Sequence, residues 1–113
     1  MNNQRQIIFY QDYFLNFYRE QNGKVQEKIE YIFKLITTVQ NVPIKFLQHM
    51  SGTDGLYEIR IEVESNIYRI FCCFDKGNLV VLFNCFQKKS QKTPKAEIDL
   101  ALKLKDGYFK LKK

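Results

Sequence analysis

Apolar positions along this chain follow two different periods, and the switch between them falls near residue 56. In the first part the spacing is helical. A short apolar run at 7–10 (IIFY) predicts a strand, and Asp12 then offers an N-cap oxygen for a helix reaching about residue 21, with Phe14, Phe17 and Tyr18 at i, i+3 and i+4. Asn22-Gly23 breaks that helix, and a second one is predicted over 24–38, with Val25, Ile29, Ile32, Phe33 and Ile36 in one stripe. Two helices joined by a short turn make a helical hairpin. Pro43 closes the region; residues 44–55 carry no clear period, and Ser51–Gly55 read as a loop.

From residue 57 the period becomes two. In YEIRIEV (57–63) the odd positions are apolar and the even ones charged, which predicts a strand with one buried and one wet face. Ser65-Asn66 can turn, residues 67–74 form the next strand, and Asp75-Lys76-Gly77-Asn78 is a hairpin turn. Residues 79–86 are almost continuously apolar, as expected of a central strand buried on both faces. A last helix is predicted over 94–105, with Thr93 at the N-cap and Pro94 in the first turn, and 106–113 follow as a basic tail. The order β-α-α-β-β-β-α describes one α+β domain spanning 1–113, a meander with helices on one face.

With 113 residues and 45% hydrophobic content, the chain can bury a single core without staples. It has no apolar run of membrane-spanning length and no signal-peptide pattern, so a soluble, cytoplasmic protein without membrane contact is expected. Cys72, Cys73 and Cys85 are odd in number, lack metal-ligand spacing and lie in apolar runs, which predicts buried, reduced thiols. No metal site or cofactor motif stands out.

Charge changes the picture more. The net charge of +6 sits in the last quarter: residues 86–113 hold nine lysines against three acids, while 1–85 balance. A strand opening into QKKSQKTP presents cations to an anionic partner such as nucleic acid, although a solvated basic helix accounts for the charge equally well. Arg60, Arg69 and Lys88 lie on or at the end of the predicted strands, with Glu58 and Glu62 beside Arg60. Arginines on a rigid sheet match phosphate oxygens, and the same residues also fit cross-strand ion pairing. The single histidine, His49, falls in the unassigned stretch and reads as surface or packing; Tyr68 is expected in the core, and Tyr108 in tail packing.

GLYEIR (55–60), NIYRIFCCFD (66–75) and VVLFNCFQKKSQKTPKAEIDLAL (80–102) together resemble the HigB-like branch of the RelE/ParE toxin superfamily, in order and spacing. Ser90 and the Cys72-Cys73 pair are its departures. The resemblance implies the RelE/ParE-like fold: an N-terminal strand and helical hairpin packed on a small, mainly antiparallel sheet, with a C-terminal helix. It implies a toxin of a type II toxin–antitoxin pair, neutralised by an antitoxin that is often of helix-turn-helix type. It implies ribosome-dependent cleavage of mRNA without a cofactor, by attack of the 2′-hydroxyl on the adjacent phosphate. Arg60, Arg69, Lys88 and Glu58 then become catalytic candidates: the arginines for charge stabilisation, a lysine as general acid, and Glu58 as base or as an orienter of Arg60. Lys89, Gln91, Lys92 and Thr93 become RNA-binding candidates. A ParE-like inhibitor of DNA gyrase, which cuts nothing, shares the fold and is the alternative; an inert RNA-binding remnant is a third.

Overall fold

The computed structural model describes residues 4–112. Its element order is β1 (Gln6–Phe9), α1 (Tyr13–Arg19), α2 (Gly23–Thr38), β2 (Leu47–His49), β3 (Tyr57–Val63), β4 (Asn66–Asp75), β5 (Leu79–Lys88) and α3 (Lys95–Leu111). The five strands form one mixed sheet in the order β1-β5-β4-β3-β2, with only the β1–β5 pair parallel. This is the α+β architecture expected, with a helical hairpin before the meander and a helix after it.

The helices do not share one face. α2 packs Val25, Ile29, Ile32 and Ile36 against Ile59, Ile61, Ile70 and Leu82, while α3 packs Ala101 and Leu104 on the opposite face against Leu56, Phe71, Cys73 and Phe83. β4 and β5 are therefore covered on both sides, and Val80 to Phe83 are fully buried, as the unbroken apolar run required. Each large aliphatic side chain of the α2 stripe stabilises the fold by about 1.5–3 kcal/mol.

Several boundaries differ from the sequence reading. Asp12 makes no capping hydrogen bond through its side chain. Asn22, read as a breaker, is instead the cap of α2, its Oδ1 accepting from the Val25 amide at 3.0 Å. The cap of α3 is Pro94, not Thr93. β2 was not anticipated: it is three residues long and gains its order by pairing with β3. The β3–β4 loop is Glu64-Ser65, one residue earlier than expected, and both residues have positive φ (50° and 75°), as a tight two-residue hairpin demands.

The expected tail is mostly helix. α3 continues to Leu111 because its apolar stripe does, through Tyr108 and Phe109, both packed on the α3-side core. Gly107 lies inside the helix, where a Cβ would meet the Tyr10 hydroxyl at 3.1 Å, so the small residue serves close packing. Tyr108 donates to Asp75 Oδ2 at 2.7 Å, and Lys112 pairs with the same oxygen at 2.5 Å. The helix is thereby tied to the β4–β5 hairpin. Lys113 lies outside the described residues.

A candidate anion-binding cleft on the sheet

Directly opposed residues in antiparallel strands share a face, so the register sets out three rows beside α3. Gln48, Glu58 and Phe71 form the first, Arg60, Arg69 and Phe86 the second, and Glu62, Ile67 and Lys88 the third. The second and third rows depend on a β-bulge. Between Cys72 and Ile70, β4 advances two residues while β5 advances three, from Leu82 to Cys85. The extra residue reverses the alternation of β5, turning Phe86 and Lys88 toward the arginine face and Cys85 toward the α2 side. Asn84, at the bulge, donates through Nδ2 to the Glu97 carbonyl and carboxylate, both at 3.0 Å, and so fixes the start of α3.

The wet face expected of β3 is wet only at its end. Glu58 and Arg69 are 8% and 5% exposed, Arg60 is half-buried and Glu62 is exposed. Phe71, opposite Glu58 and packed in the α3-side core, helps keep water from the first row, and exposure along β3 rises from Glu58 through Arg60 to Glu62. Arg69 Nε lies 3.2 Å from Glu58 Oε1, yet neither atom is aligned for a hydrogen bond with the other or with any described group. Arg69 Nη1 donates to the Tyr68 carbonyl at 3.2 Å. Arg60 Nη1 donates to Gln48 Oε1 at 2.6 Å, and its Nε lies 3.7 Å from Glu58 Oε2. One carboxylate thus stands between two guanidinium groups. Burial pulls the Arg69 pKa down; Glu58 opposes that shift and Arg60 adds to it.

These side chains border a cleft of about 270 Å³, lined by Lys28, Lys45, Phe46, Arg60, Glu62 and Arg69, with Ile61 and Ile67 beneath. Ile67 also lines a second hollow, with Lys88, Lys89, Ser90 and Gln91, so the two meet along β4. The structure therefore brings Arg60, Arg69 and Glu58 together and sets Lys88, Lys89 and Gln91 beside them. Lys92 and Thr93 line neither hollow. Lys28, Lys45, Phe46 and Gln48 were missed, and they come from the part of the chain whose charges balance. Lys24, Lys28 and Tyr31, at i, i+4 and i+7, were the readable signal: a basic and aromatic stripe along one flank of the apolar face of α2.

Other candidates fall elsewhere. His49 is exposed on the edge strand, with Nε2 3.1 Å from the Thr53 carbonyl and its ring edge-on to Tyr57, and Tyr68 is buried in the α2-side core. Cys72 and Cys73 are buried and Cys85 half-buried, all as free thiols, and desolvation raises each pKa, that of Cys73 to about 11. Within α3, Lys95 pairs with Asp99 and Lys110 with Asp106. Among the described residues no three His, Cys, Asp or Glu side chains gather to ligate a metal, and no helix is long and apolar enough to cross a membrane.

A small α+β domain whose sheet carries paired arginines in a lysine-rimmed cleft has the charge and hydrogen-bond donors that an anion would need. Residues 14–106 match the phage-derived Gp49-like family (DUF891), and the chain belongs to it. That family is toxin-like and related to RelE and ParE. No curated protein matches the chain.

Proposed function

We propose that the protein is the toxin of a type II toxin–antitoxin pair of the HigB-like kind, a ribosome-dependent mRNA endonuclease acting in the cytoplasm and held inactive by a cognate antitoxin. The observation that carries this reading is the Arg60–Arg69 pair: two guanidinium groups across one ladder, short of carboxylate partners and opening into a basic cleft.

Cleavage in this reading is attack of the RNA 2′-hydroxyl oxygen on the adjacent phosphorus. The P–O5′ bond breaks, leaving a 2′,3′-cyclic phosphate and a 5′-hydroxyl. Arg60 and Arg69 stabilise the extra negative charge on the phosphorane oxygens, an effect realised mainly in the transition state. Gln48 and Glu58 hold the two guanidinium groups in place. Glu58 is an orienting residue rather than a base here, since its Oε1 is buried against Arg69. The 2′-hydroxyl proton passes to water in the open cleft, and Lys88, at the rim, protonates the leaving 5′ oxygen. Lys89, Gln91, Lys92 and Thr93 belong to the loop that follows the backbone beyond the scissile phosphate.

The test is expression of the wild type beside Arg69→Ala and Arg69→Lys, with folding checked by circular dichroism and mRNA ends mapped by primer extension. New mRNA 5′ ends with the wild type, lost in both folded variants, are expected. Growth arrest without new ends would sink the endonuclease reading, and an accompanying change in plasmid supercoiling would transfer the protein to the gyrase-inhibiting alternative.

A further inference from the structure

The cleft does not stop at the edge of the sheet. β2 pairs with β3 only through Tyr57–Ile59, the ladder ending where the Arg60 amide donates to the Phe46 carbonyl at 2.8 Å. Beyond that point the outer edge of β3 faces α2 across a hollow of about 540 Å³, lined by Lys24, Glu27, Lys28, Tyr31, Glu62 and Val63. Lys28 and Glu62 line both this hollow and the arginine cleft, so the two are continuous.

Their chemistry differs. The arginine cleft sets four cations against Glu62 at its rim and the buried Glu58 behind the arginines. The neighbouring hollow sets Lys24 and Lys28 against Glu27 and Glu62, and Lys24 is further engaged by Glu64 at 2.6 Å. A phosphate is drawn to the first and gains little in the second. What the second offers is an aromatic ring. Tyr31 is 53% exposed, pointing away from the core-facing stripe of α2. Its ring is held edge-on by Phe46, centroids 6.3 Å apart, with Lys28 Nζ 5.9 Å from its centroid. A fixed, exposed ring beside a phosphate site is a stacking platform for a base of a single strand.

We infer that this hollow is a nucleobase subsite, in which Tyr31 stacks on the base next to the phosphate bound by Arg60 and Arg69, and the Glu27 and Glu62 carboxylates select bases that offer amino groups. The inference rests on the RNA reading of the cleft and names its specificity element. Adenine, cytosine and guanine each present an exocyclic N–H₂ donor to an acceptor, whereas uracil offers only a ring N–H between two carbonyl oxygens. Carboxylates therefore favour the three amino-bearing bases over uracil.

Binding of labelled 2′-O-methyl hexanucleotides, which lack the attacking hydroxyl, tests this by fluorescence anisotropy on the full chain. The wild type is expected to bind oligo-A and oligo-C several-fold more tightly than oligo-U. Tyr31→Ala should weaken oligo-A and oligo-C roughly tenfold, the loss of about one stacked base, and Tyr31→Phe should restore them. Glu62→Gln should narrow the gap between oligo-C and oligo-U. Both positions are exposed, so the variants keep the fold. Binding that depends on Arg60 but not on Tyr31 would overturn the base subsite and leave the phosphate cleft standing. Equal affinity for all three oligomers, or no binding, would also overturn it, and mRNA cleavage in cells is scored separately.

Discussion

Arg69 lies directly across the β3–β4 ladder from Arg60. Like charges opposed in this way repel, and the repulsion grows as water is excluded. Glu58 offsets part of it, reaching Arg69 at 3.2 Å and Arg60 at 3.7 Å, but a single carboxylate cannot neutralise two guanidinium groups. Glu62, exposed at the rim, acts on Arg69 more weakly than Glu58 does, and with Lys28 and Lys45 added the cleft keeps an excess of positive charge. In the proposed reading an RNA phosphate offsets that excess, so an arrangement that costs stability in the free protein favours a polyanion.

Glu58→Gln separates the orienting role from a basic one. Removing the carboxylate leaves Arg69 buried without its counter-charge, and the variant is expected to lose roughly 3 kcal/mol of stability in urea denaturation, near the low end for breaking a buried pair. Added phosphate should recover much of that loss. A variant as stable as the wild type that has lost all cleavage would show instead that Glu58 acts as the base.

Salt dependence reports which cations touch phosphate. Each phosphate neutralised contributes about one unit to the slope of log K against log salt concentration, somewhat less for single strands. Lys45→Ala and Lys88→Ala should each lower that slope by about one, with little change in base preference. Lys95 and Lys110 pair with carboxylates along α3, away from both hollows, so alanine at either position should leave the slope unchanged. Equal effects at all four positions would mean diffuse attraction rather than a defined path.

The C-terminal helix is part of the core. Leu104, 7% exposed, packs with Ala101 against the sheet, and Leu104→Ala is expected to cost about 2–5 kcal/mol. Truncation after Lys105 removes Tyr108, Phe109 and Lys112, and it should lower stability further in the same urea titration. A truncated chain as stable as the full one would restore the reading of 106–113 as a tail.

Much of this was legible from residue order, for identifiable reasons. The α2 stripe and the apolar run of β5 carry periods that only one kind of element satisfies, and the alternation in 57–63 placed Arg60 beside Glu58. Opposition of Arg60 and Arg69 needed only the short loop between their strands. The rest depended on features without a local signature. A bulge inside an unbroken apolar run leaves no mark on the pattern, so the turning of Lys88 toward Arg69 could not be read. Three residues of β2 are too few to show a period. Lys28 and Lys45 come from a stretch of zero net charge, where counting charge points away from them; only folding segregates those lysines from the acids that balance them in sequence.

The anchor at Asp75 gives the fold a signature in pH. Hydrogen bonds from Lys112 and then Tyr108 hold the Asp75 carboxyl below its ordinary 3.8. Burial, and then Asp75 itself, push Tyr108 from 10.0 up to about 12. A tyrosine whose folded pKa is raised is favoured in its protonated form, so its contribution is fully present below pH 10 and is lost as pH climbs to about 12. A carboxyl whose folded pKa is depressed behaves oppositely, contributing above 3.8 and fading as pH falls through its lowered value. The buried cysteines also titrate in alkali, Cys73 from 9.0 to about 11, so the wild-type curve alone does not isolate Tyr108. Comparison with Tyr108→Phe does, because the thiols are common to both chains. The stability difference between the two should be constant from neutral pH to about 9 and should shrink between 10 and 12, as the wild type alone must ionise the hydroxyl that binds Asp75. A difference that stays constant through pH 12 in urea midpoints would mean that Tyr108 stabilises α3 by packing alone.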